Sequence, residues 1–151
     1  MRYWLMKSEP EAYGIEDLAR DRRTIWDGVR NYQARNFLKE AEVGDRVFFY
    51  HSNAKPPGIA GLMTVVAAMV PDPTQFDESS KYYDAKSTPE KPRWHTVEVE
   101  FVQQFAELIP LDTLRETFTP DELLVVKRGT RLSVIPVDEV VAERILAITA
   151  E

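Results

Sequence analysis

The side chains best suited to chemistry are concentrated between positions 24 and 36, where aromatic, amide and arginine residues alternate. They are Trp26, Arg30, Asn31, Tyr32, Gln33, Arg35 and Asn36. The aromatic rings provide π faces for stacking, the amides provide paired donors and acceptors, and the arginines provide guanidinium planes or phosphate contacts. Such a set can read a flat heterocycle, and one stacked base contributes about 1–3 kcal/mol. The same residues also fit a second interpretation, in which both aromatic side chains belong to the core and Asn31 only caps a helix.

Patterns that accompany catalysis are missing from the sequence. Residues 58–61 contain two glycines but lack the Lys-Ser/Thr pair and the third glycine that phosphate-binding loops need. The two histidines, His51 and His95, are far apart and have no second imidazole at the spacing of zinc ligands. Ser8, His51 and an aspartate could form a triad, but no G-x-S-x-G elbow supports it. We therefore predict that the protein is not an enzyme and uses no metal or cofactor.

The composition is that of a globular chain of one-domain size, with 151 residues of which 44% are hydrophobic and 29% charged. The absence of cysteine excludes disulfides, thiolate metal sites and cysteine nucleophiles. The net charge of -6 disfavours general binding to a phosphate backbone, so any nucleic-acid role must be local. Basic residues do recur, notably in the run 127–131, and they fit either a basic face or a solvated surface of mixed sign.

Two further observations concern the location of the protein. Residues 1–7 form too short an apolar run for a secretory leader. The longest apolar stretch, residues 59–70, is interrupted by Gly61 and Thr64 and is far shorter than a membrane span. We expect the protein to be cytoplasmic, without a membrane partner.

Short strands and helices joined by irregular loops would position the candidate side chains. Strands are predicted over residues 3–7, 46–51, 59–70, 96–102 and 132–134. Helices are predicted over residues 15–19, 31–38, 111–116 and 120–124 and again after Asp138. Strands outnumber helices and do not alternate with them as βαβ units do. This pattern predicts an α+β fold, a small mixed β-barrel with peripheral short helices.

The periodicity also predicts which side chains fill the barrel and which segment carries function. The apolar residues with strand periodicity are expected inside: Val47, Phe49, Val97, Val99 and Phe101. The proline-rich segment 71–92 has no periodicity, and long ordered loops in compact domains are usually functional. We therefore expect this loop to lie beside the binding site.

Several contiguous segments resemble the EVE domain family of PUA-like domains. The segments are WLMKSEP at 4–10, WDGVRNYQARN at 26–36, FFYHSN at 48–53, PDPT at 71–74, YYD at 82–84, PRW at 92–94 and RLSV at 131–134. They follow the family order and cover nearly the whole chain, so a single EVE domain over residues 1–151 is expected. The resemblance implies a PUA-like β-barrel, related in shape to YTH and ASCH domains, that binds modified bases in DNA or RNA.

Carried over residue by residue, the resemblance implies a pocket with an aromatic wall. Its candidate ligand-binding residues are Lys7, Ser8, Trp26, Arg30, Asn31, Tyr32, Arg35, Asn36, Tyr50, His51, Ser52, Tyr82, Arg93 and Trp94. Trp26 or Trp94 would stack on the base. The side chains expected at the base edge are Ser8, Asn31 and Ser52, those expected at phosphate are Lys7, Arg35 and Arg93, and the long loop would cover the mouth.

The leading hypothesis is therefore a binding module whose partner is nucleic acid bearing a modified base, or a free nucleotide-like small molecule. Two alternatives stay open. One is a small hydrolase or transferase with His51 as acid/base and Lys7 as electrostatic stabiliser. The other is a protein-interaction adaptor that uses an exposed Trp94 and Tyr83. In the leading hypothesis His51 orients a site without acting as a base. Trp26→Ala should then weaken binding by about 1–3 kcal/mol without unfolding the protein.

Overall fold

A computed structural model of the chain describes residues 1–149 and shows an α+β fold built on one six-stranded sheet. The strands are β1 (Tyr3–Ser8), β2 (Arg23–Ile25), β3 (Arg46–His51), β4 (Gly58–Pro71), β5 (His95–Pro110) and β6 (Val134–Val137). The helices are α1 (Pro10–Tyr13), α2 (Ile15–Asp21), α3 (Tyr32–Glu40), α4 (Leu111–Thr117) and α5 (Glu139–Thr149), with short 3-10 turns at Pro73–Phe76 and Leu124–Val126. The predicted class, strands with peripheral short helices, is confirmed.

The sheet is mixed and open. Its order is β2-β5-β4-β3-β1-β6, and only β1 and β3 run parallel. Within residues 1–149, the edge strands β2 and β6 each pair with a single neighbour and no ladder joins them. The predicted barrel therefore holds only loosely, because the sheet is not closed: β2, which is three residues long, and β6 are not paired with each other.

The parallel pair β1 and β3 brings two sequence-distant segments together at one end of the sheet. Lys7 lies opposite Tyr50, and Ser8 lies opposite His51. Beyond the ladder, the Ser52 N–H donates to the Ser8 carbonyl at 3.0 Å. Because parallel strands end at the same edge, the residues after β1 and after β3 become neighbours.

The long hairpin of β4 and β5 is irregular near Gly58 and Gly61. Its register shifts at several points, including those beside Ile59 and Gly61. A side chain at Gly58 would collide with the carbonyl oxygen of Ile109 on β5. Such close backbone approach requires glycine and lets the sheet curve around its core.

The core lies between the sheet and the helices. Of the five residues predicted to fill it, the four valine and phenylalanine side chains at 47, 49, 97 and 99 are fully buried. Phe101 is only half-buried, and the Arg22 guanidinium lies over its ring, 4.9 Å from the ring centroid. The strand that was predicted to end at residue 102 continues to Pro110.

The helix boundaries largely follow the predicted signals. Asn31 caps α3, its side-chain oxygen accepting the Ala34 N–H at 2.9 Å, and the helix buries Ala34 and Leu38 against the sheet. The segment 120–124, predicted as a helix, is instead a turn leading into a 3-10 turn. None of the helices in residues 1–149 has the length and apolar character needed to cross a membrane.

Candidate functional site

A cavity of about 710 Å³ opens beside the C-terminal end of β1 and the segment that follows β2. We call it the main cavity. Its lining residues are Lys7, Ser8, Glu9, Ala12, Tyr13, Thr24, Ile25, Trp26, Asp27, Gly28, Val29, Arg30, Asn31, Ser52, Lys81, Tyr82, Arg131 and Ser133. The volume lies within the range of about 300–1,000 Å³ that is typical of small-molecule and cofactor sites. The predicted motif at 26–36 and the predicted loop meet on this wall.

Trp26 belongs both to the core and to the wall of the main cavity. It is 7% exposed and packs edge-on against Phe49, with ring centroids 5.3 Å apart. Its backbone N–H donates to the Val97 carbonyl at 2.9 Å, which extends the pairing of β2 with β5 by one residue.

This burial corrects the expected effect of a substitution at Trp26. Removing a buried tryptophan costs about 3–5 kcal/mol of stability, so Trp26→Ala should damage the fold as well as the wall. The core interpretation of this residue is therefore right about its packing. Its place on the cavity wall still allows contact with a ligand.

Gly28 lets the ring of Tyr82 close onto the rim of the main cavity. Gly28 has φ of 82° in the left-handed region, and its N–H donates to Asp72 Oδ2 at 2.8 Å. A Cβ at this position would lie 2.7 Å from the Tyr82 ring. Only glycine permits this contact, so the loop and the 26–36 segment are fitted to each other at the mouth.

Beside the cavity, aromatic rings and guanidinium groups form a layered cluster that we call the arginine–aromatic stack. Its members are Arg30, Tyr32, Arg35, Arg93 and Trp94. The Tyr32 and Trp94 rings are stacked with centroids 5.1 Å apart. The Arg30 and Arg35 guanidinium carbons lie 4.9 Å and 5.5 Å from the Trp94 centroid. These distances fit cation–π contacts.

Two loop aspartates anchor the stack. Asp72, which is 2% exposed, accepts from Arg30 Nη1 at 3.1 Å as well as from Gly28. Asp84 Oδ2 accepts from Trp94 Nε1 at 2.8 Å and from Arg93 Nη1 at 3.1 Å. The hydrogen bond from Trp94 is the main cause that lowers the pKa of Asp84. The carboxylates thus engage two of the arginines that the sequence offered to a ligand.

The fourteen predicted site residues divide equally between the main cavity and other places. Those on the cavity lining are Lys7, Ser8, Trp26, Arg30, Asn31, Ser52 and Tyr82. Those elsewhere are Tyr32, Arg35, Asn36, Tyr50, His51, Arg93 and Trp94. The structure therefore brings half of the predicted set together and places most of the rest in the adjoining stack.

The residues away from the cavity have internal roles. Arg35 Nη1 donates to the Arg93 carbonyl at 3.1 Å, and its other nitrogens donate to Asn36 Oδ1. Tyr50 is buried, with the Lys7 amino group 5.9 Å from its ring centroid. Trp94 is 5% exposed. The adaptor hypothesis needed an exposed Trp94 and is wrong in that respect.

His51 lies on a different, smaller cavity of about 370 Å³. Its Nε2 accepts the N–H of Ile15 at 3.1 Å, at the start of α2, and its ring meets Phe49 edge-on at 5.5 Å. Burial lowers the pKa of His51, which favours the neutral imidazole that this acceptor role requires. The hydrolase hypothesis paired His51 with Lys7, yet the two residues line separate cavities.

The charges of the main cavity include residues that sequence reasoning missed. Four basic side chains line it, Lys7, Arg30, Lys81 and Arg131, against two acidic ones, Glu9 and Asp27. Such an excess raises the local potential on a chain whose net charge is -6. Glu9, Asp27 and Arg131 lie in three of the segments that resemble the EVE family. Nothing in the sequence showed that they face one cavity.

Three groups on the cavity lining have shifted pKa values, and burial raises the pKa of Tyr13 to about 12. Burial lowers the pKa of the Lys7 amino group. Burial also raises the pKa of the Asp27 carboxyl, and repulsion from Asp72 adds to that rise. All three shifts disfavour the charged form, so a ligand of opposite charge or a hydrogen-bond donor would relieve a cost. Among residues 1–149, no cluster of three or more His, Cys, Asp or Glu could hold a metal ion.

Comparison with known proteins places this geometry in a family. Residues 2–148 match the EVE domain. Human thymocyte nuclear protein 1 is 43% identical over 91% of the chain and 69% of its own length. A crystal structure from Pseudomonas putida is 49% identical and superposes with a TM-score of 0.93 over 97% of the chain and 99% of its own. Human THYN1 protein in complex with 5-methylcytosine-containing DNA is 40% identical, with a TM-score of 0.91 over 100% and 99% of the two chains.

The relatives differ in how much of their own length the chain covers. The solved structures match almost end to end, whereas the chain spans about half the length of most of the curated thymocyte nuclear proteins. The expected PUA-like fold is confirmed at the level of the domain, with an open sheet in place of a closed barrel.

Proposed function

The chain belongs to the EVE domain family, and we propose that it binds DNA carrying a modified base, with 5-methylcytosine as the first candidate. The observation that carries the proposal is the complex of human THYN1 protein with 5-methylcytosine-containing DNA, because that protein is 40% identical over the full chain. The main cavity is the part of this fold that offers a base the right surroundings. The binding activity of this chain is inferred from that likeness together with the chemistry of its own cavity.

The shape of the site suits a base that has left its stack. A base inside a duplex is inaccessible, so proteins that inspect one swing it out into a fitted pocket and stack it on aromatic or apolar side chains. The main cavity has volume for such a group and is lined by the buried indole of Trp26 and by the ring of Tyr82 at its rim. Base stacking on an aromatic ring contributes about 1–3 kcal/mol.

The polar groups of the cavity match the edge of a cytosine. The exocyclic N4 amino group of cytosine is a donor, for which aspartate and glutamate are suitable acceptors. Asp27 provides a carboxylate that no basic side chain in residues 1–149 pairs with in a salt bridge. The Ser52 hydroxyl lies on the same lining and can donate to a ring acceptor, whereas the Ser8 hydroxyl already donates to the Tyr13 carbonyl at 2.6 Å. The apolar side chains of Ile25 and Val29 offer contacts for a 5-methyl group.

The test compares two oligonucleotides that differ by one methyl group. Affinities of the protein are measured by fluorescence anisotropy for a short DNA with one 5-methylcytosine and for its unmethylated twin, as single strand and as duplex. An RNA of the same sequence and free 5-methyl-2′-deoxycytidine form further arms. We expect tighter binding of the methylated DNA. Equal affinity for the methylated and unmethylated strands would overturn the proposal.

A matched pair of variants locates the binding. Asp27→Ala removes a cavity acceptor, whereas Asp121→Ala removes an exposed carboxylate that does not line the cavity. A hydrogen bond to a charged group contributes about 1.5–3 kcal/mol, so Asp27→Ala should weaken binding of methylated DNA about tenfold or more. The Asp121 variant should bind like the parent. The same loss in both variants would place the base elsewhere.

Trp26→Phe examines the aromatic wall without emptying the core. Phenylalanine keeps a ring against Phe49, so the variant should remain folded while its smaller face reduces stacking. Thermal unfolding measured on the same sample separates loss of binding from loss of structure. A folded Trp26→Phe protein with unchanged affinity for the methylated strand would show that the indole does not contact the base.

A further inference from the structure

Three cations on the main cavity have no internal acid to balance them. Lys7, Lys81 and Arg131 all line it, and none forms a salt bridge with a carboxylate of residues 1–149. The fourth cation of the lining, Arg30, differs because Asp72 holds it at 3.1 Å. The unbalanced charge is therefore confined to three side chains that come from three separate segments of the chain.

The two acids of the lining offset this charge only in part, and neither forms a salt bridge with a basic side chain of residues 1–149. Glu9 has its Oε1 bonded to Asn53 Nδ2 at 2.6 Å. Asp27, the other acid of the lining, pairs with no basic side chain within the described residues. Three unpaired cations thus share one opening on a protein of net charge -6. Cations held together at a concave opening concentrate positive potential there and attract anions.

The three side chains differ in how they are held, and each arrangement suits contact with an anion. The Lys81 amino group lies 5.1 Å from the centroid of the Tyr82 ring, which fixes it at the rim. Lys7 is half-buried, so its amino group has lost water that an anion could replace. Arg131 is exposed in the segment before β6 and can present its planar fork to two oxygens.

We infer that Lys7, Lys81 and Arg131 form a phosphate subsite that holds the backbone of the nucleotides next to the bound base. The inference deepens the proposed function and rests on it, because it assumes that the ligand of the cavity is part of a strand. We expect only a few phosphates to be contacted, because the cavity has three unpaired cations and the protein as a whole has a net negative charge. The subsite contacts about three phosphates of the strand and does not contact the others.

Salt dependence measures the number of phosphates contacted. For single strands, the slope of log K against log salt concentration is about −0.7 for each phosphate neutralised. Three contacts therefore predict a slope of about −2 for a short single-stranded DNA that contains 5-methylcytosine. Free 5-methyl-2′-deoxycytidine has no phosphate, so its affinity should not change with salt. The nucleoside 5′-monophosphate, with one phosphate, tests whether a lone phosphate is enough or whether the subsite needs a strand.

The decisive comparison uses two double variants with the same change in charge. Lys81→Gln with Arg131→Gln removes two cations of the subsite. Lys86→Gln with Arg128→Gln removes two exposed cations that lie near them in sequence but do not line the cavity. The first double variant should reduce the magnitude of the slope by about 1.4, which corresponds to two phosphates. The second should leave it unchanged, and unfolding curves check that both are folded.

The possible results separate this inference from the proposed function. If the magnitude of the slope decreases equally in both double variants, or in neither, the phosphate subsite is overturned. Absence of oligonucleotide binding would overturn it as well. A slope that falls only in the cavity variant, without any preference for the methylated base, would support the subsite and contradict the proposed function. Loss of nucleoside affinity in the cavity variant would also count against the inference, because it would place these cations at the base instead of the backbone.

Discussion

The main cavity and the arginine–aromatic stack adjoin each other and are built from the same residue types, but they differ in what their polar groups contact. In the stack, Arg30 and Arg93 are held by aspartates at 3.1 Å, and Arg35 donates to a backbone carbonyl. In the cavity, Lys81 and Arg131 have no carboxylate partner within residues 1–149. The arginines of the stack are bonded internally, whereas these two cations of the cavity are available to a ligand.

This difference assigns different tasks to similar side chains. A buried charge that already has its partner stabilises a particular arrangement of loops, and losing the partner is costly. A charge without a partner at an opening contributes little to the fold and remains available for binding. We therefore expect the stack to fix the shape of the cavity wall and the cavity groups to contact the proposed ligand. Substitutions in one region therefore test whether the other region is affected.

The largest effect is expected from removing the anchor of the stack. Asp72→Ala leaves the Arg30 guanidinium and the Gly28 N–H without their buried acceptor. Breaking a buried ion pair from one side costs about 3–5 kcal/mol, so chemical denaturation should show a loss of that size. The control is Glu40→Ala, which removes an exposed pair with Arg2 and should cost about 0–1 kcal/mol. Equal losses would mean that the stack is not a structural anchor.

A smaller effect is expected at Gly28, which contacts both regions, and Gly129 provides a matched control. Gly28 and Gly129 both have positive φ, at 82° and 79°. Alanine at either position carries a backbone strain of about 1–2 kcal/mol. Only at Gly28 would the new Cβ meet the ring of Tyr82, since nothing lies within 4 Å at Gly129.

Affinity for methylated DNA distinguishes the two glycine variants. Gly28→Ala should displace Tyr82 from the rim and weaken binding, whereas Gly129→Ala should be destabilised but bind normally. If the two variants bind with the same affinity, the position of Tyr82 does not matter to the ligand. Unfolding experiments on both variants measure the loss of stability that backbone strain causes in each of them.

The smallest effect concerns His51, which belongs with the satisfied polar groups although it lies outside the stack. Burial lowers its pKa in the folded state below the value of 6.5 for an exposed histidine. Its contribution to stability is therefore complete above about pH 6.5 and is lost as the pH falls through the folded pKa. His51→Gln should make unfolding free energy less sensitive to pH between 7 and 5, by at most about 1.4 kcal/mol per pH unit.

The same His51 variant should bind methylated DNA like the parent at neutral pH, since the residue does not line the main cavity. A clear loss of affinity in a folded His51→Gln protein would contradict the division between structural and ligand-contacting groups. His95 has a pKa lowered in the same direction and remains in both proteins, so the difference between them reports His51 alone.

Much of the fold could be predicted because it depends on local patterns. The cap formed by Asn31 and the strand periodicity around Phe49 need only neighbouring residues, and both are present. The closure of the sheet could not be predicted in this way. It depends on how long β2 is and on whether β2 meets β6, which are properties of the packed molecule.

The site was only half predictable for a related reason. The sequence shows that Arg30 can bind an anion but not that Asp72, far along the chain, already occupies it. Likewise, Lys81 and Arg131 look like ordinary surface charges until the fold brings them to one opening. Residue types indicate a chemistry, whereas the identity of the partner depends on tertiary contacts between segments distant in sequence.

The central claim, that the ligand contacts the cavity and leaves the stack and the smaller cavity untouched, is tested most directly by backbone amide NMR. A short single-stranded DNA with one 5-methylcytosine is titrated into labelled protein. The account predicts that shift changes concentrate at cavity amides such as Lys7, Gly28 and Ser133, with little change at Leu108 beside the smaller cavity. Shift changes centred on Leu108 and its neighbours, or no change anywhere at saturating DNA, would contradict it.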